Sequence, residues 1–410
     1  MKYKKGVNIL ALNCGSSSLK YKIIEMPQER ELSRGEAQRV GIKTQALSAI
    51  THFCLDKKTV IEAPIPDHVA ALKKVLELVE ADAKVNGDMG FGIFAHRYVH
   101  PGNNFSRTTK VSAPVLGRLR ETLPLAAIHN PVSYRLMGFC HKEYPRLTQY
   151  AVFDTVFHKT IPPAFATYAI PRSITKKYGI RKIGFHGISH RYVMEEACRF
   201  LGRDKFQQKI ISCHLGTGGS SICAIDCGRS VNNSMGFTPL EGLMMNTRCG
   251  DIDPGAVFYI MFKEKFSSGD AEDILNKKSG ILGVFDSSSD LREVIRGMGN
   301  DKRARMAFDM YVRRVKTYIA FYTIILKKAD VLVFTDSLGA GEPLLRESIS
   351  GGMDFAGIKL NRELNAAYSG GIKDISVKDS EARILIIPAN EELMIAREAY
   401  REFSKDDHSR

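Results

Sequence analysis

Two stretches of this chain share one design, and that repetition limits the fold more than any other feature. VNILALNCGSSSLKYKIIEM, from Val7, reads as an apolar β-rich run, a turn of small polar residues from Asn13 to Ser18, and a second β-rich run. KIISCHLGTGGSSICAIDCGRS, from Lys209, repeats the pattern around a turn from Gly216 to Ser221. One Gly-rich hairpin constrains little, because many such hairpins bind nothing. Two of them in corresponding halves point to a duplicated domain. Gly and Ser also let backbone N–H groups and hydroxyls close on an anion without obstruction. Ser16, Ser18 and Lys20 in the first copy, and His214, Gly216 and Gly218 in the second, are therefore candidate phosphate contacts. A third Gly-containing turn, Asp336–Gly341, follows the apolar run VLVFT. None of these is a Walker loop, which needs Gly-Lys-Ser/Thr opening a helix.

The rest of the chain fits an α/β reading. Strand-like and helix-like segments alternate. Residues 66–86 have helical spacing, FGIFAHRYVHPG is a strand entering a turn, and YAVFDTVFH (150–158) is a strand carrying one acid. Residues 191–202 and 300–328 read as helices, ADVLVFT as a buried strand, and RILIIPANEELMIAREAYREFSKD as strand, turn and terminal helix. Asn390 is placed to cap that last helix. With 410 residues, two domains are expected. The repeat places their seam near 150, and the domains are expected at 1–150, completed by a C-terminal helix from about 384 to 410, and at 151–383.

Composition excludes several classes. Lys and Arg number 59 against 45 Asp and Glu, a formal charge of +14. The basic residues are scattered (Lys2–Lys5, Lys176–Lys182, Arg313–Lys316), without the aromatic interleaving of an RNA-binding sheet. The excess reads as a solvated surface that draws in anions, with no nucleic acid as partner. Cysteines 14, 54, 140, 198, 213, 223, 227 and 249 form no C-x-x-C pair, so a zinc site is not expected and a reducing cytoplasm is. The apolar run before Asn13 is too short for a signal peptide, and no run approaches the ~18 apolar residues of a membrane span.

The segment NNSMGFTPLEGLMMNTRCGDIDPG (232–255) sets Arg248 beside Asp251 and Asp253 between glycine and proline turns. A guanidinium held by tight turns suits carboxylate or phosphate, which it grips bidentately; a solvated loop with incidental charges is the alternative. Arg97 sits where a strand meets a turn, with a structural ion pair as its alternative role. Asp154 interrupts an apolar strand, and a buried acid needs a partner or a task. His186 lies between Phe185 and Gly187, and Glu391 opens the terminal helix. Two arginines, a histidine and two acids beside phosphate loops point to phosphoryl transfer, which needs cations and donors around the equatorial oxygens and a metal to offset charge.

The chain resembles the acetate kinases, within the acetate and sugar kinase/Hsp70/actin superfamily. The resemblance spans essentially the whole chain and rests on NCGSSSLKY, AHRYVHPG, LAAIHNP, AVFDTVFH, GFHGISH, HLGTGGSS, MGFTPLEGLMMNTRCGDIDP, KKSGILGVFDSSSDLR and NEELMIARE. It implies a duplicated actin-like (ribonuclease H-like) ATPase core with the active site in the interdomain cleft, and a homodimer. It also implies transfer between ATP and acetate to give acetyl phosphate and ADP, with Mg2+ first and Mn2+ second as the metal. By motif, Asn13 and Glu391 position the metal, while Arg97 and Arg248 clamp the acyl and transferring phosphoryl groups. His186 stabilises the transition state with Asp154 nearby. Val99, Ile128, His129, Phe185 and Pro239 meet the acid, and Asp290 and Arg292 meet the nucleotide. Three departures stand out: Thr217 and Asn246 replace an Asn and a Gly, and the adenosine loop reads Asp336-Ser337-Leu338-Gly339-Ala340-Gly341. Side chains there, Ser337 ahead of Gly339 among them, are expected to crowd the nucleoside. A pyrophosphate- or phosphate-dependent acetate kinase is the first alternative, and a non-catalytic actin-like nucleotide-binding protein the second.

Overall fold

A computed structural model describes residues 6–42, 47–86 and 90–408; the basic Lys2–Lys5 stretch lies outside them. The chain divides into two units, Met1–Val156 with Asn390–Arg410, and Phe157–Ala389. Each is a sheet covered by helices.

The first unit holds β1 (Val7–Cys14), β2 (Ser18–Met26), β3 (Arg30–Gln38), β4 (Ser48–Cys54), β5 (Lys57–Ala63), β6 (Ile93–Tyr98), β7 (Thr109–Lys110) and β8 (Thr148–Phe153), in the order β5-β4-β3-β2-β1-β6-β8-β7. The second holds β9 (Lys209–Gly216), β10 (Gly219–Asp226), β11 (Arg229–Asn233), β12 (Val331–Thr335), β13 (Lys373–Asp374) and β14 (Arg383–Ile386), in the order β11-β10-β9-β12-β14-β13. The duplication is now explicit. In both units an antiparallel triplet (β3-β2-β1; β11-β10-β9) continues into parallel neighbours (β6, β8; β12, β14) and closes on a short antiparallel edge (β7; β13). Strand β14 pairs with β12, so the first unit's C-terminal contribution begins at Asn390.

Sequence explains the layers. VLVFT of β12 is buried at every position because helices cover both faces of a parallel strand. The helix Lys302–Leu326 buries Ala304, Ala307, Phe308, Tyr311, Val315, Ile319 and Tyr322 against the second core, a three-and-four spacing along one face. Asp301 caps its start. The terminal helix Glu391–His408 packs on β1 and β2 through buried Met394, Ile395, Ala396 and Ala399, and Asn390 Oδ1 accepts from Leu393 N as expected. Its Arg397 is 4 % exposed and ties it to Glu29 through two 2.7 Å bonds.

Two expectations are revised. The strand expected through 150–158 ends at Phe153, and Asp154 opens a 3-10 turn, Asp154–Thr160. The acid therefore sits at a strand's carboxyl end instead of interrupting it. The turn expected at Asp336–Gly341 is a short helix, entered through Asp336 in the left-handed region (φ 65).

Candidate active site

In open sheets of this kind, ligands meet the carboxyl ends of the parallel strands. In the first unit those ends carry Asn13 (β1), Arg97 (β6) and Asp154 (after β8). Leu12 pairs with His96, and Arg97 with Val152, so register alone brings the three together. Arg97 donates from Nη1 to Asn13 Oδ1 (3.1 Å) and from Nη2 to Asp154 Oδ2 (3.0 Å). Asn13 Nδ2 donates onward to Glu391 Oε2 (2.8 Å) and Glu392 Oε1 (2.9 Å). Burial alone would pull the Arg97 guanidinium down, but Asp154 and Glu391 more than reverse this and hold it above its ordinary value. The cluster sets three carboxylates against one guanidinium, an excess of negative charge at a largely buried sheet end. Among the described residues no group of three or more His, Cys, Asp or Glu is arranged to hold a metal. Glu391, Glu392 and the Asn13 amide are hard oxygen donors, which suit a small divalent ion that takes its other ligands from phosphate and water.

In the second unit, the tight turn Thr217–Gly218 joins β9 to β10, with Gly216 paired to Gly219. His186 occupies the left-handed region (φ 57) at the start of the helix Gly187–Leu201, an uncommon backbone for a non-glycine residue. Its Nδ1 lies 2.9 Å from Ser221 Oγ, and its ring centroid 4.2 Å from that of His214. Ser221 Oγ is shared with His190 Nε2 at 2.9 Å, and Ser189 Oγ meets His214 Nδ1 at 2.8 Å. A Cβ built on Gly219 would stand 3.2 Å from Arg248 Nη1 and 3.5 Å from His186 Cε1, so guanidinium and imidazole close on one glycine. Arg248 is half-buried and has no carboxylate partner among the described residues; its Nη1 meets Pro239 O at 3.4 Å and Met245 Sδ at 3.6 Å. Burial lowers its pKa. A desolvated guanidinium without a counter-ion is a ready anion site.

The remaining residues divide. Asp251 and Asp253 shape the 232–255 segment instead of meeting a ligand. Asp251 accepts from Gly242 N (2.7 Å) and from Tyr318 Oη (2.8 Å), and Asp253 caps the helix Pro254–Glu264. Asp290 and Arg292 grip each other, Nη2 to Oδ2 at 2.6 Å, at the start of the helix Leu291–Gly297. Val99 is buried beyond Arg97, its carbonyl accepting from Thr155 N, whereas Ile128 is 63 % exposed beside His129. Phe185 is buried, and its carbonyl is held by His158 and Asn233. Ser16 and Lys20 are exposed on the first hairpin, Lys20 paired with Asn13. Ser18 closes that turn, its carbonyl accepting from Gly15 N. Leu338 and Gly339 are buried, Leu338 in the second core, whereas Asp336 and Ser337 meet the turn through His214 and Thr217.

Sequence reading missed Glu392, Ser221, Ser189 and His190. The signal was there: Ser189 and His190 stand three and four residues after His186, where a helix returns to one face, and Glu392 neighbours Glu391 next to the capping Asn390.

Comparison with known proteins gives a consistent answer. The Acetokinase family matches residues 8–397. The acetate kinase of Desulfitobacterium hafniense is 43% identical over 400 residues, 95% of this chain and 98% of that protein. The solved acetate kinase of Porphyromonas gingivalis superposes with a TM-score of 0.87 at 38% identity, covering 95% of this chain and 98% of that one. A solved propionate kinase of Francisella tularensis gives 0.87 at 35%, covering 96% and 98%. The chain belongs to the acetokinase family, enzymes that transfer a phosphoryl group to a carboxyl group.

Proposed function

We propose that the chain transfers a phosphoryl group reversibly between ATP and acetate, giving acetyl phosphate and ADP. The observation that carries this reading is the convergence on Gly219 of His186 and Arg248, whose guanidinium has no carboxylate partner among the described residues. An acetate oxygen attacks the γ-phosphorus, the new O–P bond forms, and the bond to the β,γ-bridging oxygen breaks with its electron pair leaving on ADP. Acetate is already ionised at neutral pH, so no general base is required. That agrees with Asp154, whose carboxylate is committed to Arg97 and serves to position it. Arg248 and His186 act on the charge of the transferring group, where one positioned donor is worth about 10²–10³ in rate. Asn13, Glu391 and Glu392 hold a divalent ion, Mg2+ by preference and Mn2+ as a substitute. When bound it offsets charge on the phosphates.

Acetate is preferred over propionate, with Val99 facing the methyl group. A methylene is worth only about 1–3 kcal/mol in such a pocket, so the preference is modest and Val99→Ala narrows or reverses it. ADP release from ATP, measured against acetate, propionate and butyrate, tests both levels. ATP turnover that no acid stimulates would defeat the reaction; equal kcat/KM for acetate and butyrate would defeat the pocket.

Two further assignments belong to this reading. The helix Pro254–Glu264 is strongly apolar yet buries none of its residues, with Phe258, Tyr259 and Phe262 at 69 %, 63 % and 80 % exposure. A second copy of the chain covering that face, as a homodimer, accounts for it. None of the eight cysteines is in a disulfide and six are buried, which suits the reducing cytoplasm.

A further inference from the structure

The second glycine turn already contains an anion supplied by the chain itself. Thr335 of β12 pairs with His214 of β9, so the next residue, Asp336, reaches back over the turn. Its left-handed backbone (φ 65) aims the carboxylate at the turn, with Oδ2 3.2 Å from His214 Nε2. A Cβ on Gly216 would collide with this same carboxylate. Ser337 Oγ meanwhile accepts from Thr217 N at 3.2 Å, taking one of the turn's backbone donors. Asp336 is one-third exposed and Ser337 is exposed, so both can yield to an incoming ligand.

We propose that Asp336 and Ser337 form an internal plug in the phosphate turn, which the donor must displace, and that they thereby set donor affinity. The proposal rests on the reading of Gly216–Gly219 as the loop that meets the donor's phosphates. A polyphosphate entering that loop must take the His214 Nε2 and Thr217 N contacts and overcome like-charge repulsion from Asp336. The plug acts on donor binding, not on the transfer step.

The test is steady-state kinetics with ATP and acetate on Asp336→Ala and Asp336→Asn. Asparagine tolerates the left-handed backbone, so the second variant carries the test if the first does not fold. Removing a partly exposed charge contact is expected to lower the KM for ATP about three- to tenfold, with the KM for acetate unchanged. An unchanged or raised ATP KM in the folded variants overturns the plug. Gly218→Asp separates this from failure of the underlying reading. A Cβ at Gly218 meets nothing within 4 Å, so the substitution adds charge at the turn without a clash. A raised ATP KM in Gly218→Asp supports the loop as the donor site. An unchanged one removes the loop reading, and the plug with it.

Discussion

Replacing Arg248 separates catalysis from stability. Its hydrogen-bond partners are a carbonyl at 3.4 Å and a thioether at 3.6 Å, both long, and no carboxylate loses a counter-ion when it goes. Weak contacts of this kind stabilise the fold by about 1 kcal/mol or less, and burial already works against the charged form. Arg248→Ala should therefore shift the midpoint of thermal unfolding very little. Its catalytic cost is set by a different quantity. A donor aimed at charge that develops in transfer is worth about 10²–10³ in kcat, or roughly 2.7–4 kcal/mol. The expected result is a kcat fall of that size with a near-native unfolding curve and a small change in the KM for ATP. Arg248→Lys should remain poor, because an ammonium cannot form the planar two-point grip. The assay pairs ADP release at saturating substrates with calorimetry on the same preparation. A kcat loss under tenfold, or an activity loss that follows a matching loss of stability, would refute the assignment.

Three other outcomes follow from the same geometry. Gly219→Ala places a Cβ 3.2 Å from Arg248 Nη1 on a backbone at φ 153; kcat should fall at least tenfold, read by the same ADP assay, while unchanged kcat would mean the guanidinium does not work at this glycine. Glu391→Gln removes a carboxylate from Asn13 and should raise the Mg2+ concentration for half-maximal rate by more than tenfold, seen in a Mg2+ titration of activity. His96 is 2 % exposed, hydrogen-bonded to Gln149, and pushed by burial from 6.5 to about 4. Its neutral form is favoured in the fold, so its contribution is complete above pH 6.5 and is lost as pH falls toward 4, about 3 kcal/mol in all. His96→Gln should flatten urea-unfolding stability across that window relative to the parent.

The architecture was largely legible because its signals are local. Two strand–turn–strand runs announced the duplication, and the apolar VLVFT could only be a strand covered on both faces. Arg97, Asp154, His186 and Arg248 stood out because each is a charged or titratable residue at a strand end or in a glycine-containing turn. What stayed hidden depends on contacts distant in sequence. Nothing local says that Asn13 meets Glu392, or that Asp336 reaches His214. Ser221 looked like one more small residue in a turn until its hydroxyl was found between two histidines. Asp251 was misleading for the opposite reason. An acid near an arginine suggests a shared ligand, yet its partners are a loop amide, Tyr318 and a different arginine, Arg314. Leu338 looked like an obstruction at the donor loop, but a short helix turns it into the core.

The reaction proposed for this chain is the phosphorylation of acetate by ATP. Trapping acetyl phosphate with hydroxylamine tests it most directly, with purified protein, acetate and Mg2+, and with ATP and pyrophosphate supplied in separate reactions. Acetyl hydroxamate is expected in the ATP reaction, in step with ADP and dependent on both acetate and Mg2+. No hydroxamate with ATP, alongside its formation with pyrophosphate, would contradict it.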